Sequence, residues 1–181
     1  MKILSSIFFV IILFGCKDTK NQIVNKPTES NSQINNELHS VEHIKLEIYD
    51  FNGFKKYLNQ KDDKVYIVNF WATWCAPCVK ELPYFQEIHD EYKNKNVEVI
   101  LVSLDFPDKL DSNLIPFIKK NSIQPKVILL DAPNENEWIP KIDESWSGAI
   151  PATIIYNKNK RSFYEQSFTR EELINELEKF I

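Results

Sequence analysis

"NFWATWCAPCVKELP", residues 69–83, places two of the chain's three cysteines three positions apart, at Cys75 and Cys78. It overlaps VYIVNFWA, residues 65–72, an apolar run rich in β-forming side chains that is typical of a strand buried on both faces. Pro77 suits the first turn of a helix, where its missing N–H is not needed. Apolar residues then recur at helical spacing over the next turns. The stretch therefore predicts a buried strand, a short turn that carries the first cysteine, and a helix.

The rest of the chain predicts alternating strands and helices before a final hairpin and helix. In order, the predicted elements are a strand over 44–51, a short helix capped by Asn52, a strand over 97–105, a helix over 111–122, a strand over 126–131, a polar insertion at 133–147 with a short helix, a hairpin over 152–166, and an amphipathic helix from Thr169 with Glu172 in a capping box. This order predicts one α/β layer fold with a mixed sheet.

The first 43 residues differ in kind from the rest. Residues 3–14 are an apolar run after a positive start, shorter than the ~20 residues of a membrane-spanning helix and typical of a signal-peptide core. The run ends in LFGC, which resembles the bacterial lipoprotein signal and predicts lipidation of Cys16 after cleavage. An ordinary cleaved signal peptide, with Cys16 as a spare thiol, is the alternative; both predict export. We therefore expect a signal peptide over 1–15, a flexible polar tether over 16–43, and a folded domain over 44–181.

Composition and charge exclude some functions. The chain has 181 residues, 43% of them hydrophobic, which suits one well-packed domain. A net charge of -4 without a basic run argues against a nucleic-acid surface. A structural zinc usually needs four Cys or His ligands, and the CxxC pair has no second pair to join it. His39 and His43 are four residues apart but lie in the polar stretch, where we interpret them as bystanders.

Cys75 and Cys78 are therefore left with a structural or a redox role. A disulfide that closes so short a loop removes little entropy from the unfolded chain and stabilises it weakly. At the start of a helix, however, unpaired N–H groups and the helix dipole favour the Cys75 thiolate. Cys78, one turn further on, can attack a mixed disulfide that Cys75 has formed. A CxxC joined to a βαβ pattern is typical of redox proteins.

The whole of residues 44–181 resembles the thioredoxin superfamily. NFWATWCAPCVKELP resembles its active site, and GAIPATIIYNKNK, residues 148–160, resembles its cis-proline loop and the hairpin that follows. With the lipoprotein start, the chain most resembles the TlpA/ResA-like membrane-anchored thiol-disulfide oxidoreductases. The resemblance implies a thioredoxin-like three-layer α/β/α fold with a central mixed β-sheet.

The resemblance also implies roles for individual residues. Cys75 would be the nucleophile and Cys78 the resolving thiol, joined as a redox disulfide. The implied substrate-binding surface comprises Trp74, Ala76, Pro77, Ile150 and Pro151, with a cis peptide between the last two. Trp71 would flank the site or pack in the core.

Glu81 would handle the protons of the thiols, the alternative being a solvated helix residue. Asn69 stands where cytosolic thioredoxins have a buried aspartate, which shifts the expected proton handling to Glu81.

The function that follows is protein-disulfide reduction outside the cytoplasm, with no cofactor and no metal, because the cysteine pair carries the electrons. The expected partners are disulfide-containing exported proteins such as apocytochrome c, an upstream membrane thiol donor, and the membrane itself through a lipid on Cys16. A thiol oxidase or isomerase, a peroxiredoxin-like peroxidase and a non-redox binding lipoprotein are the alternatives. The peroxidase motif has Thr three residues before its attacking Cys, where this chain has Ala72.

Overall fold

The structure of the protein is a computed structural model that describes residues 46–181. Its strands are β1 (Glu47–Tyr49), β2 (Val65–Trp71), β3 (Val97–Ser103), β4 (Lys126–Leu130), β5 (Ala152–Tyr156) and β6 (Arg161–Tyr164). Its α-helices are α1 (Phe51–Phe54), α2 (Ala76–Tyr92), α3 (Ile115–Lys120), α4 (Glu135–Ile142) and α5 (Arg170–Leu177). Short 3₁₀ turns cover Lys55–Leu58 and Pro107–Lys109, and a π-helical turn covers Leu110–Leu114.

The six strands form one mixed sheet in the order β1-β4-β3-β2-β5-β6. The first four strands in that order run parallel to one another. β5 is antiparallel to β2, and β6 is antiparallel to β5, so β6 runs in the same direction as the first four strands. The carboxyl ends of β2 and β3, at Trp71 and Ser103, therefore lie side by side. We call this the active-site end of the sheet, and the amino ends at Val65 and Val97 the opposite end.

Helices cover both faces of the sheet. Buried apolar side chains of α2, α3 and α5 pack on one face, and those of α1 and α4 pack on the other. β2 lies between the two layers and all seven of its residues are buried, as its continuous apolar run predicts. The predicted three-layer α/β/α fold with a mixed sheet is confirmed.

Some predictions about individual helices and turns are confirmed, and others are wrong. The hairpin over β5 and β6 and the Thr169–Glu172 capping box are confirmed. The cap predicted at Asn52 is wrong: the cap of α1 lies two residues earlier, at Asp50, whose side chain accepts a 2.7 Å hydrogen bond from the Gly53 N–H. The helix predicted over 111–122 is π-helical in its first part and α-helical only from Ile115.

Candidate active site

Cys75 and Cys78 lie at the junction of β2 and α2. Cys75 has an extended backbone and is the N-cap of α2, and its sulfur forms a disulfide with Cys78. The Cys78 N–H lies 3.4 Å from the Cys75 sulfur. Cys75 is 6% exposed and Cys78 is fully buried. Unpaired N–H groups at a helix start stabilise negative charge, so reduction of this pair would leave Cys75 the more acidic and the more accessible thiol.

The loop before β5 lies against the Cys75 sulfur. The Ile150-Pro151 peptide is cis, as the resemblance implied. Because β5 pairs antiparallel with β2, with Ala152 opposite Phe70, the loop reaches the active-site end, and the Ile150 carbonyl oxygen is 3.6 Å from the Cys75 sulfur. Trp146 fixes the approach to this loop: its indole N–H donates to the Ala149 carbonyl at 2.8 Å. The segment at 133–147 thus supplies a buried anchor for the cis-proline loop.

The exposed part of the candidate site is apolar. Trp74 is 59% exposed, and Ala76 and Pro77 are exposed beside it. Ile150 is half-buried and Pro151 is buried. Trp71, by contrast, is fully buried and packs on Phe117 at 5.4 Å between ring centroids. The core-packing alternative therefore holds for Trp71.

Glu81 is buried beneath this surface, one helical turn beyond Cys78, and is only 1% exposed. Its carboxylate accepts hydrogen bonds from the Asn69 side-chain amide at 3.0 Å and from the Phe168 N–H at 2.7 Å. The same Asn69 amide nitrogen also donates to the Thr153 hydroxyl at 3.1 Å. The alternative of a solvated helix residue is wrong for Glu81.

Burial raises the pKa of Glu81 to about 7, although the hydrogen bonds from Phe168 and Asn69 favour the ionised form. Among the residues the structure describes, no Lys, Arg or His lies within ion-pair distance of this carboxylate. Glu81 can therefore take or give a proton near neutral pH.

Sequence reasoning missed a buried acid that supports the loop before Cys75. Asp105, directly beyond β3, accepts hydrogen bonds from the Thr73 N–H at 3.0 Å, from the Thr73 hydroxyl, and from the Ser103 hydroxyl at 2.8 Å. Parallel strands end at the same edge, so a polar residue just past β3 meets the turn after β2. The parallel arrangement of β2 and β3 is the feature from which the contact between Asp105 and Thr73 could have been predicted.

Some predicted residues lie outside the described part of the chain. The predicted lipidation site Cys16, the signal peptide and the tether all precede residue 46, as do His39 and His43. Within residues 46–181, no group of three or more His, Cys, Asp or Glu is arranged to hold a metal. In the same range, no helix has the length and apolar character to cross a membrane.

Parts of this sequence are similar to known proteins. The family model described as "AhpC/TSA family" matches residues 40–161. The thiol-disulfide oxidoreductase ResA of Oceanobacillus iheyensis is 52% identical over 48 residues, which are 26% of this chain and 25% of that protein. This chain therefore matches only about a quarter of that relative's length.

Solved structures support the fold. A DsbF homologue from Corynebacterium diphtheriae aligns with a TM-score of 0.54 and 24% identity, over 70% of this chain and 75% of that one. A thioredoxin family protein from Chlorobium tepidum, described as a thiol:disulfide interchange protein, aligns with a TM-score of 0.54 and 20% identity, over 64% and 79%. Because both sequence identities are below 25%, the likeness establishes a thioredoxin-like fold and nothing further.

Proposed function

We propose, since the chain belongs to the AhpC/TSA family, that it is a thiol-disulfide oxidoreductase that reduces disulfides of exported proteins. The observation that carries the proposal is the Cys75–Cys78 disulfide at the start of α2, with the Ile150 carbonyl 3.6 Å from the Cys75 sulfur. An extended substrate chain that pairs with the Ile150 backbone would bring its own disulfide to Cys75. The name of the ResA relative supports the same chemistry.

The reaction balances with these two cysteines alone. In the reduced protein, the Cys75 thiolate attacks a substrate disulfide, forms a mixed disulfide and releases one substrate thiolate. Cys78 then loses its proton and attacks the Cys75 sulfur. The second substrate sulfur leaves, the substrate holds two thiols, and Cys75–Cys78 is the disulfide again. Glu81, buried one turn beyond Cys78, is the proposed acceptor of the Cys78 proton.

The residues around the pair favour reduction over oxidation of substrates. Strong oxidants of this fold stabilise the cysteine thiolate and so make their disulfide oxidising. Ala76 and Pro77, between the cysteines, offer neither a positive charge nor a side-chain donor. Ionised Glu81 would oppose a second negative charge nearby. We therefore expect a potential nearer the roughly -270 mV of thioredoxin than the roughly -120 mV of a strong oxidase.

Membrane attachment is the second part of the proposal. The LFGC sequence at residues 13–16 supports a lipid on Cys16 and a place in the cell envelope, with the folded domain outside the cytoplasm. A diacyl anchor would supply the two chains that stable attachment requires. The proposed partners are then exported disulfide proteins, apocytochrome c among them, and a membrane thiol donor that reduces the Cys75–Cys78 disulfide back to the dithiol. Fractionation tests this part: wild type should sediment with membranes and Cys16→Ser should not, and a soluble wild type would contradict it.

Insulin reduction tests the chemistry. Purified protein should accelerate reduction of insulin by dithiothreitol, and Cys75→Ser should abolish the acceleration because the attacking thiol is lost. Cys78→Ser should instead accumulate a mixed disulfide with insulin, since no second thiol resolves it. Wild-type activity no greater than that of Cys75→Ser would refute the oxidoreductase. Rapid peroxide consumption without insulin reduction would favour the peroxidase alternative.

A further inference from the structure

A groove lined by basic side chains lies on the face of the sheet that α1 and α4 cover. Two adjoining cavities, of about 370 Å³ and about 180 Å³, share Leu58, Asn59 and Arg161 in their walls. We call their combined surface the basic groove; its cations are Lys55, Lys61, Lys141, Lys158, Lys160 and Arg161. Among the described residues, neither cavity has an Asp or Glu in its wall. In a chain of net charge -4, this concentration of positive charge is a local feature.

Most of these cations are not neutralised by neighbours. Two have carboxylate partners: Lys158 pairs with Asp63 at 2.6 Å and Arg161 with Asp143 at 3.3 Å. Asp63 is itself 83% exposed, so its pair with Lys158 is weak. For the other four lysines, no carboxylate oxygen of the described residues lies within 4.0 Å.

Aromatic rings hold three of the unpaired lysines in place. The Lys55 and Lys141 ammonium groups lie 5.1 Å and 5.9 Å from the centroid of the Phe51 ring, and that of Lys160 lies 4.5 Å from the Phe180 ring. A cation–π contact orients an ammonium group without cancelling its charge. The groove thus presents several oriented positive charges to solvent.

The basic groove is at the opposite end of the sheet from the cysteines. Tyr66 at the amino end of β2 pairs with Tyr156, so the turn at 157–160 lies beside that end. Cys75 follows the other end of β2, and a strand of this length spans about 20 Å. A surface that contacts the basic groove therefore leaves the disulfide free.

The chain also enters the folded domain at this end. β1 begins at Glu47 and runs parallel to β4, which runs parallel to β3 and β2. The amino end of β1 therefore lies at the same end of the sheet as the basic groove, although at the far edge. The segment with the apolar run and Cys16 precedes this entry point. A lipid on Cys16 would therefore tether the domain by the end of the sheet that carries the groove.

We propose that the basic groove docks the folded domain on anionic phospholipid headgroups, with Cys75 directed away from the bilayer. Ammonium and guanidinium groups bind phosphate oxygens well, and each Lys or Arg near an anionic surface strengthens binding about fivefold, which corresponds to about 1 kcal/mol. The proposal rests on the membrane attachment proposed above, and it is independent of the redox chemistry. Docking would hold the dithiol facing the exported substrates rather than the lipid.

Hydrogen exchange of the full lipidated chain in nanodiscs tests the docking. One nanodisc contains phosphatidylcholine alone, and the other contains equal parts of phosphatidylcholine and phosphatidylglycerol. Exchange of the amides at 157–161 and at 139, 141 and 142 should slow about fivefold or more in the anionic nanodisc, and high salt should remove the effect because it screens the charges. Exchange around Cys75 should not change.

Charge-reversal variants separate docking from attachment. Lys141→Glu with Lys160→Glu should abolish the protection, while Lys80→Glu with Lys109→Glu, an equal charge change at the active-site end, should keep it. Circular dichroism confirms that each variant is folded. A chain that co-purifies with neither nanodisc refutes the attachment and the docking together. A chain that co-purifies with both, but exchanges equally in both, refutes the docking alone.

Discussion

The substitution Glu81→Gln tests the buried carboxyl one helical turn beyond Cys78. In the folded protein, burial raises the pKa of Glu81 from 4.5 to about 7. Because the folded pKa is the higher one, the folded state binds this proton more tightly than the unfolded chain does. The resulting stabilisation is fully present below the unfolded pKa and is lost as the pH rises through the folded pKa.

The pKa values set the size of the effect. At 1.36 kcal/mol for each pKa unit, the shift corresponds to about 3 kcal/mol in the free energy of unfolding. Glutamine keeps the shape of the side chain and does not titrate. Relative to Glu81→Gln, the wild type should therefore lose about 3 kcal/mol of stability between about pH 4 and pH 8. Other titrating groups are common to both proteins and cancel in the difference.

Urea unfolding at a series of pH values measures this difference. Both proteins are kept oxidised, so that Cys75 and Cys78 do not titrate. Glu135→Gln, at an exposed position in α4, is the matched control and should follow the wild type at every pH. Parallel pH profiles for the wild type and Glu81→Gln would refute a raised pKa at this site. In the insulin assay, Glu81→Gln should also slow reduction and flatten its pH profile near neutrality, which a purely structural role would not do.

Three further predictions concern the dithiol and its support. Brief iodoacetamide treatment of the reduced protein should modify Cys75 before Cys78, because Cys78 is fully buried; peptide mapping that finds Cys78 labelled first would reverse the assignment. Equilibration in dithiothreitol and glutathione buffers should give a potential near that of thioredoxin, and a value above about -180 mV would contradict a reductase. Asp105→Ala should lower the free energy of unfolding by about 2 kcal/mol, because it leaves the Thr73 and Ser103 donors without their acceptor; chemical denaturation measures the loss, and an unchanged stability would show that water replaces the carboxylate.

The sequence predicts best the features that depend on neighbouring residues. The continuous apolar run of β2, Pro77 at the start of α2 and the Thr169–Glu172 capping box each have a local physical cause. The cap of α1 shows the limit of such reasoning. Both Asp50 and Asn52 are good N-caps. Which of them caps α1 depends on where β1 ends, and the sequence pattern predicts that boundary only to within a few residues.

The environment of Glu81 depends on residues far apart in the chain. Its spacing from Cys78 places it near the cysteines, but the residues that bury and bind it come from β2 and from the segment before α5. The Phe168 N–H, 87 positions away, donates to its carboxylate. A single glutamate within a helical pattern gives no sign of such a partner. Asp105 is similar, since it contacts Thr73 only because β2 and β3 are parallel neighbours.

The identity of the Glu81 partners bears on what this carboxyl can do. A buried carboxylate beside a cation is held ionised, because the opposite charge lowers its pKa, and a fixed negative charge would oppose thiolate formation at every pH. Asn69 and the Phe168 N–H instead offer hydrogen bonds without a net charge, so burial remains the larger influence and the pKa stays near neutrality. Aspartate at position 69 would place a second carboxyl against Glu81, and one of the two would have to stay protonated. Asparagine at position 69 therefore leaves Glu81 as the one side chain of this pair that can ionise, as its proposed role as the acceptor of the Cys78 proton requires.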